Sequence, residues 1–301
     1  MSFTAKDVQA LREMTGVGMM DCKKALTETG GDFEKAVAVL REKGLAAAEK
    51  KAGRIAAEGI VDVVVKDNVG AIIEINSETD FVAKNEKFRE FVNICANAVI
   101  DLNPKDVDEL LACEVNGETI EEQLREKILT IGENIKIRRF ERYEGILIPY
   151  VHAGGTHAVI VSFDADEKVA ESLEFIEFGK NIAMQITAVN PLYLFKEDIP
   201  AEVLEKEKEI LMNQAINEGK PANIAEKMVA GRINKYYKEN VLVEQPYVKD
   251  DKISVGKYVS QESKNLGTEI AIKAFTRYEK GEGLEKRDSC SFAEEVAEMQ
   301  K

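Results

Sequence analysis

Residues 58–75 read EGIVDVVVKDNVGAIIEI. Two segments of this stretch, 60–65 and 71–75, are rich in Val and Ile, and a polar turn at Asp67-Asn68 separates them. Short β-branched runs bounded by turn residues are typical of paired strands. The stretch therefore predicts an antiparallel β-hairpin.

A helix is predicted directly after this hairpin, over residues 86–100. Its inner face carries Phe88, Phe91, Val92 and Cys95. A similar order recurs later, with a strand from residue 144 to 148, a turn at Gly154-Gly155, a returning strand at 158–161 and a helix over 173–189. We expect two related hairpin-plus-helix units, and so an α+β fold with antiparallel sheets rather than a wound parallel sheet.

Residues 1–45 predict a compact bundle of three short helices. Thr4 can cap the first helix and Asp32 the third, and Gly44 is expected to end the third helix. Residues 46–56 are small and charged, which suits a helical or flexible linker.

A helical hairpin is predicted as an insertion at about 197–243. Apolar residues recur at seven-residue spacing before a turn at 217–221, and a second helix is predicted after the turn. We assign 57–140 to the first core unit and 141–282, including this insertion, to the second. Residues 283–301 are predicted to form a C-terminal helical module that starts at a capping box.

The charge balance limits the classes of function. The 301 residues hold 41 Lys+Arg and 55 Asp+Glu, a net charge of −14, which argues against direct nucleic-acid binding because phosphate contacts need basic surface. No apolar run reaches the ~20 residues of a membrane span, and no secretory signal is visible. Four separated cysteines and two histidines predict neither a zinc site nor a disulfide framework, as expected for a cytoplasmic protein.

The loop after the first hairpin, residues 74–85, places Phe81 and Val82 beside Asp80. In one interpretation both apolar residues fold back onto the sheet, with Asp80 or Thr79 capping the next helix. In the other, an exposed aromatic residue beside a carboxylate enters a groove of a partner protein.

Residues 12–26, REMTGVGMMDCKKAL, closely resemble the N-terminal signature of the elongation factor Ts family. The resemblance implies a three-helix bundle of the ubiquitin-associated type that docks on a GTPase, elongation factor Tu, in its GDP-bound state. Its implied contacts are Arg12, Val17, Met19 and Met20. From residue type alone, the two methionines suit either the bundle core or an adaptable binding surface.

The Thr79-Asp80-Phe81-Val82 stretch resembles the second signature of this family. The resemblance implies that the loop intrudes near the Mg²⁺ ion and nucleotide phosphates of the GTPase, and that the chain is an exchange factor without covalent chemistry or a cofactor. Residues 132–139 are also similar to the family, but no chemistry is assigned to Arg138 or Arg139.

Further contacts are implied at His152, Phe292 and Met299. From pattern alone, the C-terminal helix can pack either on its own core or on a partner. Whether the chain forms a homodimer is left open by the sequence.

Two other classes of function are considered. Glu74, Glu78 and Asp80 could hold Mg²⁺ for hydrolysis, although no P-loop, GxSxG or HExxH pattern is present. Alternatively, the N-terminal bundle could be a simple module that captures helical peptides.

Overall fold

The structure, a computed structural model, describes residues 3–219 and 221–285. The helices are α1 (Ala5–Thr15), α2 (Met19–Glu28), α3 (Phe33–Lys51), α4 (Glu86–Leu102), α5 (Val107–Ala112), α6 (Ile120–Ile131), α7 (Glu167–Ala170), α8 (Leu173–Val189), α9 (Ala201–Asn217), α10 (Ala222–Asn240) and α11 (Val255–Leu266). The strands are β1 (Glu58–Lys66), β2 (Val69–Ser77), β3 (Glu114–Val115), β4 (Glu118–Thr119), β5 (Lys136–Glu144), β6 (Ile146–His152), β7 (His157–Asp164), β8 (Pro246–Tyr247), β9 (Asp250–Ser254) and β10 (Ala271–Glu279). Within the described ranges, no helix combines the length and the apolar character that a membrane crossing requires.

The first three helices form the predicted bundle. Thr4 caps α1 in a capping box with Asp7, and Asp32 caps α3 by accepting a hydrogen bond from the Lys35 N–H. The bundle core consists of Val8, Leu11, Val17, Cys22, Ala25, Leu26, Ala36 and Leu40.

The predicted end of the third helix at Gly44 is wrong, because α3 continues to Lys51. Gly44 is buried against α6, where a Cβ would lie 3.7 Å from the Arg125 carbonyl oxygen and 3.8 Å from Leu129 Cδ2. These are ordinary contact distances, so Gly44 is a buried residue inside the helix that faces α6, and it does not end the helix. The first part of the predicted linker is helical and joins the bundle to the first core unit.

Two three-stranded antiparallel sheets form the core, in the orders β1-β2-β5 and β10-β7-β6. In each sheet a hairpin is extended by a later strand that pairs with the second hairpin strand. This shared topology confirms the α+β fold with two related units. The strand that completes the first sheet, β5, runs from Lys136 to Glu144.

The two sheets pack face to face, with α4 and α8 on the outside. Alternate residues of a strand point to opposite faces, so Ile73 and Ile75 contact α4, whereas Val61 and Ile72 contact the second sheet. Because β2 lies between these two layers, it is buried along nearly its whole length.

The predicted helical hairpin is formed by α9 and α10, which have 17 and 19 residues. At ~1.5 Å per residue the arms are roughly 25–30 Å long. Since β10 returns to pair with β7, the hairpin interrupts the second unit, as predicted. Several elements were not predicted, namely α5, α6, α7, α11 and the short hairpins β3–β4 and β8–β9.

Gly179 lies in α8 against β6, where a Cβ would be only 2.5 Å from Ile148 Cγ1. Because Ile148 is itself buried, we expect Gly179→Ala to lower the free energy of unfolding by about 1–3 kcal/mol. Urea titration measures this. The matched control is Gly44→Ala, for which there is room, and which we expect to raise stability by about 0.5–1 kcal/mol. Equal effects of the two substitutions would contradict the prediction.

Candidate functional site

The loop between β2 and α4 separates its two apolar residues. Phe81 is 77% exposed, whereas Val82 is 6% exposed and packs in the core of the first unit. A 3-10 turn at Val82–Lys84 begins immediately after Phe81. Val82 therefore folds back onto the core, as in the first interpretation, whereas Phe81 projects into solvent.

The expected helix cap at Thr79 or Asp80 is wrong. Asn85 caps α4, because its side chain accepts a hydrogen bond from the Phe88 N–H. Asp80 is instead on the surface, with its carboxylate 3.7 Å from the Lys84 ammonium. Exposed ion pairs of this kind are weak, so Asp80 can be released to a partner at little cost.

A second loop, which follows α6, holds the start of the loop between β2 and α4. One oxygen of Glu133 accepts hydrogen bonds from the N–H groups of Glu78 (3.1 Å) and Thr79 (2.9 Å), and the other accepts from the Thr79 hydroxyl at 2.7 Å. In return, the Glu78 carboxylate accepts from the Asn134 N–H at 2.7 Å. Each loop thus supplies a carboxylate to the backbone of the other.

The end of α3 joins the same region. Arg54 donates to the Glu78 carboxylate at 3.3 Å, and its own carbonyl accepts from the Asn134 amide at 2.7 Å. Lys51 donates to the Ile128 carbonyl, near the end of α6, at 3.3 Å. Burial lowers the pKa of the Lys51 ammonium, and the nearby Arg54 lowers it further. The bundle is therefore tied to the loop that carries Phe81.

Arg89 in α4 connects the loop to the second unit. Its Nε donates to the Ala83 carbonyl at 2.9 Å, and its Nη2 donates to the Gly154 carbonyl at 3.0 Å. Gly154 belongs to the turn between β6 and β7. This bridge sets the β6–β7 turn beside the loop that follows β2.

The turn between α1 and α2 also reaches this site. Gly16 lies close to α4 and α6, since a Cβ there would be 3.1 Å from Lys87 Nζ and 3.8 Å from Thr130 Cγ2. A groove of about 410 Å³ separates this turn from Phe81, and its lining includes Ile131. The two signature segments, far apart in sequence, thus lie on either side of one groove.

The predicted contacts of the bundle are only partly on its surface. Arg12 is exposed, as are Met19 (42%) and Met20 (62%), which favours the surface interpretation of the methionines over the core one. Val17 is buried at 2% in the bundle core, so the expectation that its side chain lies on the contact surface is corrected. Met14, which was not predicted, is 61% exposed near the same turn.

His152 lies at the end of β6, next to the turn that Arg89 holds. Its Nδ1 is 3.0 Å from the Tyr150 hydroxyl, and its ring centroid is 6.2 Å from that of His157. His157 in turn lies 3.4 Å from the Glu279 carboxylate. His152 is exposed and can contact a partner.

The three carboxylates of the enzyme hypothesis do not converge. Glu74 is fully buried, and its two oxygens bind Arg138 at 3.0 Å and Arg139 at 2.6 Å. Glu78 binds the second loop, and Asp80 faces solvent. Across the described part of the chain, no group of three or more His, Cys, Asp or Glu residues is placed to hold a metal ion. The contacts of Glu74 are structural, which disfavours the hydrolase hypothesis.

The predicted contacts Phe292 and Met299 lie outside the described residues. Glu133 was missed because it acts on the loop through a tertiary contact, 54 positions after Thr79. Arg89 was missed because its bridging role depends on Gly154, 65 positions away, although its bond to Ala83 is local. The only sequence signal for Glu133 was its place in the family-like stretch 132–139.

Comparisons with known proteins agree on one family. The family model described as "Elongation factor TS" matches residues 78–282. Elongation factor Ts of Clostridium perfringens (strain SM101 / Type A) is 53% identical, over 98% of this chain and 98% of the relative. Elongation factor Ts of Clostridium botulinum (strain 657 / Type Ba4) is 48% identical, over 97% of each chain.

Proposed function

The chain belongs to the elongation factor Ts family, and from this membership we propose that it is a guanine-nucleotide exchange factor that binds GDP-bound elongation factor Tu and promotes release of GDP. The observation that carries the proposal is the 77% exposure of Phe81 on a loop whose neighbouring residue, Val82, is buried. A large aromatic side chain in solvent is costly unless a partner covers it, and aromatic residues dominate binding hot spots.

In the proposed mechanism Phe81 acts as a wedge. Val82 packs in the core and Thr79 is hydrogen-bonded to Glu133, so the loop is held on both sides of Phe81. Phe81 can therefore enter between helices of the GTPase domain without packing on its own core. The wedge displaces the partner's elements that order Mg²⁺ and the nucleotide phosphates.

Asp80 supports this step by its charge. Its carboxylate is exposed beside Phe81 and held only by the surface Lys84, so it can compete for the groups that order the metal. Mg²⁺ offsets the charge of the phosphates, and its loss weakens GDP binding. No covalent step and no cofactor of this chain are involved.

Thermodynamic linkage makes the effect reciprocal. A protein that binds the nucleotide-free GTPase best must weaken nucleotide binding by the same coupling free energy. Such coupling typically changes the affinity roughly 5- to 150-fold. The exchange factor therefore needs a surface that fits the empty GTPase, and not a set of acid–base groups.

The remaining contacts surround this wedge. Arg12, Met19 and Met20 lie on the bundle, and the turn that precedes α2 borders the groove beside Phe81. We propose that these residues of the bundle bind the GTPase while the loop that carries Phe81 acts on its nucleotide site. His152 extends the contact from the second unit, and the negative net charge fits a protein partner better than nucleic acid.

The test is release of labelled GDP from elongation factor Tu with and without this chain. We expect faster release that saturates with the concentration of the chain. An unrelated GTPase loaded with the same nucleotide is the control and should be unaffected. A release rate that the chain leaves unchanged would refute the proposal.

A further inference from the structure

We propose that Glu133 is a positioning residue for nucleotide exchange, because its carboxylate holds the loop of residues 78–82 in the conformation that projects Phe81. The inference rests on the proposed function and deepens it. Glu133 contacts neither Phe81 nor Asp80 in the described hydrogen bonds and ion pairs, so its effect must pass through the backbone.

Glu133 holds Thr79, which lies two residues before Phe81. Glu133 accepts hydrogen bonds from both the N–H (2.9 Å) and the hydroxyl (2.7 Å) of Thr79. The Thr79 carbonyl accepts from the Ser77 hydroxyl at 3.0 Å. All three polar groups of Thr79 are therefore bound, and two of them by the same carboxylate.

The backbone that carries Glu133 is itself fixed on both sides. Gly132 ends α6 in the left-handed region at φ +87°, which turns the chain sharply before Glu133. Asn134, 1% exposed, follows it and is bound through both its N–H and its amide to Glu78 and Arg54. The carboxylate is therefore presented from a fixed backbone.

The charge of the Glu133 carboxylate strengthens its contacts with the loop. Bonds from N–H and O–H donors to a carboxylate are charge-assisted and stronger than neutral ones. Two adjacent N–H groups that share one oxygen fix the direction of the backbone between them. The exit of the loop is held separately, by Arg89 on the Ala83 carbonyl, so only a short segment around Phe81 is left to the solvent.

A fixed loop lowers the cost of binding, because little conformational freedom is lost when the partner arrives. We expect Glu133→Ala to lower kcat/KM for GDP exchange roughly tenfold, since hydrogen bonds to a charged group are lost. Glu133→Gln can still accept the two N–H groups on one oxygen while its amide donates to the Thr79 hydroxyl. This variant should restore most of the activity.

The deciding experiment is a double-mutant cycle with Phe81→Ala, measured as labelled GDP release from elongation factor Tu. If Glu133 acts by positioning Phe81, Glu133→Ala should cost less than about twofold in the Phe81→Ala background, because coupled residues are not additive. A general structural defect would lower activity equally in both backgrounds. Glu126→Ala is the matched control, since it removes a carboxylate of α6 that pairs with Lys127 and not with the loop.

An equal loss in both backgrounds, or no loss in either, would overturn the role of Glu133. If Phe81→Ala exchanges as fast as the parent chain, the wedge mechanism fails instead, and the inference falls with it. The two failures are therefore read from different variants.

Discussion

Phe81→Ala is expected to lower kcat/KM for GDP release from elongation factor Tu by roughly 30-fold or more, with the fold unchanged. Truncating an aromatic hot-spot residue typically costs about 2 kcal/mol or more of binding free energy, which corresponds to that factor. Stability should change by less than about 0.5 kcal/mol, because the side chain is 77% exposed. Labelled-GDP release measures the first effect and thermal unfolding the second.

The matched control for this substitution is Leu102→Ala. Leu102 is 48% exposed and ends α4, the helix that follows the Phe81 loop, about 25 Å from its beginning. Leu102→Ala should leave exchange unchanged, since the loss of exchange is expected only from the Phe81 loop and not from every exposed apolar side chain of this unit. Asp80→Ala should also slow release. If correctly folded Phe81→Ala and Asp80→Ala released GDP at the parental rate, the wedge mechanism would be untenable.

Glu74→Gln is expected to lower the free energy of unfolding by about 2–3 kcal/mol. Breaking a buried ion pair by removing one charge typically costs about 3–5 kcal/mol. The lower range applies here because Arg138 and Arg139 are 24% and 30% exposed and partly hydrated. The midpoint of urea unfolding measures the loss.

The loss of stability involves both units, because Glu74 also accepts a hydrogen bond from the Gly281 N–H at 2.8 Å. Gly281 follows β10 of the second unit. Gly281 is required there, since a Cβ would lie 2.2 Å from the Ala57 carbonyl oxygen. The control is Glu144→Gln on β5, whose exposed carboxylate pairs with Arg142, and which should cost less than about 0.5 kcal/mol. Equal losses for the two variants would show that the buried network adds no more stability than an exposed ion pair.

The long hairpins and the long helices of the two units could be predicted from local pattern, whereas the shorter elements, such as α5 and α7, were not. The helix over 173–189 matches α8, and the inward residues of the helix from residue 86, among them Phe88 and Phe91, are fully buried. These predictions succeed because strand and helix periodicities are properties of neighbouring residues. Gly44 misled for the same reason, since a glycine that ends a helix and one that packs against another helix look alike in sequence.

The candidate site was predictable only in part. The signature residues Thr79, Asp80, Phe81 and Val82 identify the loop, but residue type did not decide which apolar side chain is exposed. Residue type also did not decide whether Met19 and Met20 lie in the bundle core or on its surface. Val17, a predicted contact, is buried because α2 and α3 close over it in the bundle core.

The sequence by itself determined the family, the α+β architecture, the repeated hairpin-plus-helix unit and the segments that carry the site, because each is written in contiguous residues. Only the tertiary structure decided that Phe81 projects while Val82 is buried, that the α1–α2 turn borders the same groove, and that Glu133 and Arg89 hold the loop. The physical reason is that a loop has no periodicity of its own, so the direction of its side chains is set by tertiary hydrogen bonds and packing, including those of residues as far away in the chain as Glu133.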